Sequence, residues 1–231
     1  MSVRRVAMLS LHTSPLAQAG TGDGGGMNVY VRSLASSLAR AGVACDVYTR
    51  AEHPDAPRVV VVEPGVRVLH VRAGPERPVP KEQLDRYLNE CAATMLEGIR
   101  GCQRRYDALH ANYWLSGEVG HRLKHELSIP LIATFHTLAR VKGEDDGALA
   151  LEPTKRSVVE ERVARCADLI TVSTDDEASS LAALYGADPE RTEVVSPGVD
   201  HQVFAPGERM ASREALGLPA SARILLFVGR I

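Results

Sequence analysis

The residues most able to do chemistry cluster in short stretches between apolar runs. The clearest is Gly20-Thr-Gly-Asp-Gly-Gly-Gly26, directly before a helical pattern that starts at Met27. Glycines let a backbone come close to a phosphate, and the free N–H groups of a helix start favour an anion. Gly20, Gly22 and Gly25 formally satisfy GxGxxG. They lie well past the preceding strand, however, whereas a dinucleotide fingerprint places them at the strand's end. No Gly-Lys-Ser/Thr follows, which excludes a P-loop, and no GxSxG elbow is present for a serine hydrolase. His12 and His136 each follow a strand pattern. Lys81, Lys142, Lys155 and Arg156 are cations in or near loops. Tyr113-Trp114 carries the single tryptophan, which either anchors the core or lines a site. Glu144-Asp145-Asp146 could suggest a metal but reads better as a solvated loop.

The elements that must position these residues alternate. Val6–Leu11 is a continuous apolar run, as for a strand covered on both faces. Met27, Val31, Leu34, Leu38 and Ala41 share one helical face, and Gly42 stops the helix. Ala44–Thr49 is the next strand. Val59–Val62 and Val66–Val71 flank Glu63-Pro64-Gly65 as a hairpin. The pattern predicts one helix from Lys81 to about Arg104, a strand at Ala108–Asn112, and a helix capped by Ser116 and running to Glu126. Pro130–Phe135 is a strand, and His136–Glu152 reads as a long loop. Pro153 suits the first turn of a helix reaching Ala167. Leu169–Ser173 and Glu193–Ser196 are strands around a helix capped by Thr174 and closed by Gly186.

This order implies an α/β fold: a Rossmann-like, mainly parallel sheet with helices on both faces, with ligands at the carboxyl ends of the strands. Residues 1–205 read as that domain. Residues 206–231 read as a linker, with a helix at Ala211–Leu218, leading to a strand at Ala222–Ile231. That strand would open a further domain or form an edge of the same sheet.

Composition narrows the classes. The chain has 231 residues, 45% of them apolar and 24% charged, an ordinary globular balance. With 27 basic and 29 acidic side chains, the net charge of −2 gives no basic surface for nucleic acid. No apolar run approaches the roughly 20 residues of a membrane span. The Val6–Leu11 stretch after Arg4-Arg5 is too short for a signal peptide. Cys45, Cys91, Cys102 and Cys166 lack CxxC spacing and read as reduced thiols of a cytoplasmic protein, with no metal site among them.

Five segments carry a resemblance: HTSPLAQAGTGDGGGMNVYV (12–31), NYWLSG (112–117), ATFHTLARVKG (133–143), VVSPGVD (194–200) and FVGR (227–230). Together they resemble the retaining glycosyltransferases of family four, with the two-Rossmann-domain GT-B architecture. The likeness is strongest to the inositol-phosphate branch that serves mycothiol biosynthesis, and more distant to sucrose-phosphate synthases. The resemblance implies that this chain corresponds to the acceptor-holding N-terminal domain. It also implies transfer, with retention, of a sugar such as N-acetylglucosamine from a UDP-sugar to an inositol phosphate or related cyclitol. His12, Asp23 and Asn28 would contact the inositol ring, and Lys81, Tyr113, Thr137 and Arg156 would gather around its phosphate. Gln18, Ala19, Gly26 and Arg230 would meet the donor, Gly26 through its backbone N–H, and His136 would lie beside the transferred sugar. Gly26 and His136 are thus the implied catalytic positions. No cofactor is implied, and magnesium is compatible with the donor but not required. The implied partners are a sugar nucleotide and a phosphorylated polyol, with no nucleic acid or membrane span, and a homodimer is compatible. Residues 1–231 alone would bind acceptor phosphate weakly without turnover.

Asn112 stands where the inositol branch commonly has histidine, and Glu160-Glu161-Arg162 where it has Glu-Gln-Gln. Another polyol or sugar acceptor, as in natural-product biosynthesis, therefore stays open. So do a dinucleotide oxidoreductase and a non-catalytic binding module. The oxidoreductase needs an acid just after the second strand, where the chain has Thr49-Arg50-Ala51-Glu52.

Overall fold

The computed structural model describes residues 2–18, 20, 24–101, 105–145 and 154–227. The chain divides into two compact units, Met1–Ser196 and Pro197–Ile231.

The first unit is built on an eight-stranded sheet. In chain order its strands are β1 (Arg5–Leu9), β2 (Ala44–Arg50), β3 (Val59–Glu63), β4 (Val66–Val71), β5 (Ala108–Asn112), β6 (Leu131–Thr134), β7 (Leu169–Val172) and β8 (Thr192–Val194). The spatial order is β3-β4-β2-β1-β5-β6-β7-β8. Every pairing is parallel except β3 with β4, the expected hairpin. The order reverses between β1 and β5. In an open parallel sheet the loops diverge at such a switch and leave a crevice at the carboxyl edge.

Alternation along β1 explains why its whole run is apolar. Val6 and Met8 face a core shared with Val31 and Ala35 of helix α1 (Gly26–Arg40) and with Cys45 and Val47 of β2. Ala7 and Leu9 face the opposite core. Helices α2 (Leu88–Arg100), α3 (Tyr113–Leu127), α5 (Lys155–Cys166) and α6 (Asp175–Tyr185) fill that side. Successive side chains of a strand point to opposite faces, so a strand sandwiched between helices carries apolar residues at every position.

Four elements differ from the sequence expectation. The stretch expected as one helix from Lys81 is a 3-10 segment, Lys81–Tyr87, followed by α2; the backbone at Tyr87 (φ −104°, ψ 1°) breaks the phase. Ser116 does not cap α3. The helix starts at Tyr113 directly off β5, with Asn112 at its N-cap, and Ser116 Oγ accepts the Leu11 N–H at 3.1 Å. The expected loop after His136 contains a short helix, α4 (Ala139–Asp145), whose first N–H donates to Glu160 Oε2 at 3.0 Å. That tertiary bond leaves no local signature. Thr154 caps α5 through the Ser157 N–H; Pro153 lies outside the described residues.

In the second unit, α7 (Arg209–Ala215) is present, and Arg213 donates to the carbonyls of Pro219, Ala220 and Ala222. Of the strand expected at Ala222–Ile231, residues 222–227 form none, and Leu225 to Phe227 are exposed. A strand requires a neighbour to complete its hydrogen bonds, and none pairs with this stretch among the described residues.

Two close approaches set α3 against its neighbours. A Cβ on Gly120 would stand 2.9 Å from Leu131 Cδ1 and 3.2 Å from Ala111 Cβ; one on Gly117 would meet Val163 at 3.3 Å. The helix that carries Tyr113 at its head can lie this close to the sheet only without those side chains. We expect Gly120→Val to destabilise the protein by about 1–3 kcal/mol through overpacking. Gly98→Ala, whose Cβ enters open space on α2, should instead be neutral or stabilising by up to ~1 kcal/mol. Urea denaturation of the two variants checks both.

Candidate active site at the carboxyl edge of the sheet

The residues just past the ends of β1, β5 and β6 stand at the switch point of the strand order. Past β1, Thr13 and Ser14 tie the loop to α1: Asn28 Nδ2 donates to Thr13 Oγ1 at 2.7 Å and to the Ser14 carbonyl, and Asn28 Oδ1 accepts the Gly25 N–H at 3.1 Å. Asn28 is buried, so it serves as an internal clamp that fixes the entry to the helix. Gly26, the first residue of α1, is exposed, and a Cβ there would meet nothing within 4 Å.

Past β5 and β6 stand the two strained residues of the site. Tyr113 has φ 74° and His136 has φ 63°. Left-handed backbone is uncommon for residues other than glycine, and for a bulky aromatic it is an outlier held by its surroundings. For Tyr113 those surroundings are the His12 ring, 4.4 Å away centroid to centroid, and the Arg156 guanidinium, 5.0 Å above the ring centre. For His136 they are Asn112, whose Oδ1 lies 2.9 Å from Nε2, and Tyr30, edge-on at 5.0 Å. An amide oxygen only accepts, so Nε2 carries the proton and Nδ1 is left as the acceptor.

Arg156 joins the two groups. Its Nη2 donates to the Thr137 hydroxyl at 3.0 Å and to the Thr137 carbonyl at 2.6 Å, and its Nε donates to Glu160 Oε1 at 2.6 Å. Glu160 is fully buried; its Oε2 also accepts the Tyr185 hydroxyl at 2.6 Å, and that hydroxyl accepts the Arg140 N–H at 2.9 Å. Burial and this carboxylate push the Tyr185 pKa upward.

Thus the structure brings together His12, Tyr113, Thr137 and Arg156, with His136 beside them. Lys81 heads the 3-10 segment and stands 3.9 Å from Glu82. Its segment is tied to the start of α5 through an ion pair between Asp85 and Lys155, the neighbour of Arg156. Gln18 is exposed on the loop after β1. Ala19, Asp23 and Arg230 lie outside the described residues. Asp146 also does, and Lys142 is exposed on α4. Sequence reading missed Asn112 and Tyr185 as the groups that orient His136 and anchor Glu160. Only the Arg156–Glu160 spacing of four signalled any of this.

Burial pushes His136 down to about 4, and burial together with nearby His136 pushes His110, bonded to Thr134 Oγ1 at 2.8 Å, to about 4. Both rings are neutral at pH 7. The unfolded chain protonates them near pH 6.5. Between about pH 6.5 and 4 it therefore binds more protons than the folded state, so stability falls on acidification through that window and levels off below it. We expect a loss on the order of 1 kcal/mol per pH unit from each ring. Asp46 titrates in a different window. Burial alone would raise its pKa, but Arg67, Tyr106 and Arg5 hold it below the usual carboxylate range. Urea denaturation at pH 7 and 5 should show the loss, with a shallower slope in His136→Asn, a residue that tolerates left-handed backbone.

The D-inositol 3-phosphate glycosyltransferase of Kineococcus radiotolerans is 50% identical over 236 residues, covering 100% of this chain and 54% of that protein. That of Mycobacterium tuberculosis strain H37Ra is 48% identical, covering 99% of this chain and 48% of its own length. The chain spans about half the length of these curated relatives. Among solved structures, sucrose-phosphate synthase from Thermosynechococcus elongatus superposes with a TM-score of 0.84 at 30% identity, covering 94% of this chain and 53% of that one. Residues 25–198 match the family described as glycosyl transferase 4-like domain, and the chain belongs to that glycosyltransferase family, with a GT-B type Rossmann-like fold.

Proposed function

We propose that the crevice holds a phosphorylated polyol, an inositol phosphate, as acceptor, and that the start of α1 meets the diphosphate of a UDP-sugar whose N-acetylglucosamine is transferred with retention of configuration. The observation that carries this reading is Arg156 stacked on Tyr113 and bonded to Thr137 at the mouth of the switch point. A guanidinium with two hydroxyls beside it supplies charge-assisted donors suited to a phosphate dianion. Lys81 adds a second cation to the phosphate and His12 borders the polyol ring, while buried Asn28, expected at the ring, instead holds the entry to α1 from behind.

On the donor side, the exposed Gly26 leaves the first N–H groups of α1 open to the diphosphate, where charge grows as the sugar leaves. Gln18, exposed on the loop after β1, belongs to the same donor contact. The acceptor hydroxyl attacks the anomeric carbon on the face the diphosphate departs from, which preserves configuration. Neutral His136 offers Nδ1 to a sugar hydroxyl. The reading needs no cofactor. Free, buried Cys45 and Cys91 suit a reducing cytoplasm, and among the described residues no helix is long and apolar enough to cross a membrane. Asn112 orients His136 here in place of the histidine usual in the inositol branch. Another polyol or sugar is therefore the alternative acceptor.

Calorimetric titration tests the acceptor site. We expect Arg156→Ala to weaken inositol 3-phosphate binding by about 10- to 100-fold, the worth of a hydrogen bond to a charged group, with little effect on unphosphorylated inositol. Equal affinity of wild type and variant would sink the phosphate assignment. Gly26→Ala should leave the melting temperature unchanged or raised, because its Cβ enters open space, while weakening UDP-N-acetylglucosamine binding at least about tenfold. An unaltered donor affinity in that variant would remove the N-terminal amides of α1 from the reaction.

A further inference from the structure

On the opposite half of α3 from Tyr113 stands a separate group of side chains. His121 and His125 are one helical turn apart, and Cys166 ends α5 beside them. Their donor atoms all lie within 4.8 Å of one another. Cys166 Sγ is 3.3 Å from His125 Nε2, and the two imidazoles meet edge to face at 4.9 Å. In a tetrahedral zinc centre a sulfur and a nitrogen ligand stand about 3.6 Å apart, from bond lengths of ~2.3 and ~2.05 Å. His121 Nδ1 is buried and has no hydrogen-bond partner. His121 and Cys166 border a surface depression with Val158, Glu161, Arg162 and Arg165.

We propose that His121, His125 and Cys166 bind a divalent transition metal of the zinc type, with a fourth position left to water. One thiolate and two imidazoles form a borderline-soft set that favours such ions over magnesium or calcium. The backbone is already braced for it: Lys124 Nζ donates to the Cys166 carbonyl at 2.6 Å and pairs with Asp168 at 2.8 Å, fastening the end of α5 to α3. The nearby arginines are drawn aside by two carboxylates. Glu118 accepts Arg122 at 2.8 Å and also pairs with Arg162, and Glu161 holds Arg165 at 2.8 Å and Arg140 at 2.7 Å. Binding releases the Cys166 thiol proton to solvent as the sulfur–metal bond forms. Cys45 and Cys91 do not compete, since burial pushes their thiols up to about 11 and about 12. The site lies about 12 Å along α3 from Tyr113, at 1.5 Å per residue, so it is distinct from the sugar crevice and clamps α3 to α5 behind it.

Cobalt titrated into the purified, reduced full chain tests this. The expected result is one equivalent bound with a thiolate-to-cobalt charge-transfer band that zinc displaces. The band should vanish in Cys166→Ser and persist in Cys102→Ser, and His125→Asn should weaken cobalt at least about tenfold. His125 is exposed, so that variant keeps its fold and carries the test even where Cys166→Ser does not. Absence of the band, its survival in Cys166→Ser, or unchanged affinity in both His121→Asn and His125→Asn would overturn the proposal.

Discussion

A carboxylate sealed from water holds the mouth of this fold together. Glu160 accepts Arg156 Nε, the Tyr185 hydroxyl and the Ala139 N–H, so one side chain of α5 fixes α4 and α6 as well as its own arginine. An ionised carboxylate in a low-dielectric interior is costly unless its lone pairs are matched by donors and a cation. Here they are, and removing any one partner leaves the others facing an unpaired charge. The arginine that crosses to Tyr113 and Thr137 is therefore positioned by the core and does not rely on the loop it touches.

That anchoring has a counterpart in the backbone. Tyr113 and His136 stand just past the carboxyl ends of neighbouring parallel strands, one residue past β5 and two past β6, and both are left-handed. Strain of this kind costs on the order of 1–3 kcal/mol per residue and persists only where the surroundings over-determine it. The Asn112 amide and the Tyr30 edge hold His136; the Arg156 guanidinium and the His12 ring hold Tyr113. Both turned backbones lie at the carboxyl edge of the sheet, beside the reversal of strand order between β1 and β5 where ligands of open parallel sheets bind.

Much of this frame was legible in the residues. The unbroken apolar run of β1 announced a strand covered on both faces, the period of α1 announced an amphipathic helix, and alternation gave the parallel sheet. What escaped were the features fixed by distant partners. Ser116 has the chemistry of a cap, yet its hydroxyl is taken by Leu11, far away in sequence. Helix α4 starts because Glu160 receives its first N–H, which no local propensity records. Within the site, Arg156 and Glu160 could be paired by their spacing, whereas the Asn112–His136 bond joins the ends of two strands and becomes visible only once β5 and β6 lie side by side.

The charge of the crevice follows from which groups are sealed. His136 and its neighbour His110 are neutral at pH 7 because burial penalises their cations. Arg156, its Nε bonded to buried Glu160, turns its Nη2 to Thr137 and its guanidinium face to the Tyr113 ring. The neutral imidazole, its Nε2 proton committed to Asn112, would still present a lone pair to a hydroxyl. A guanidinium anchored to a carboxylate and a neutral imidazole thus stand side by side past the end of β6, the one offering only donors and the other a lone pair.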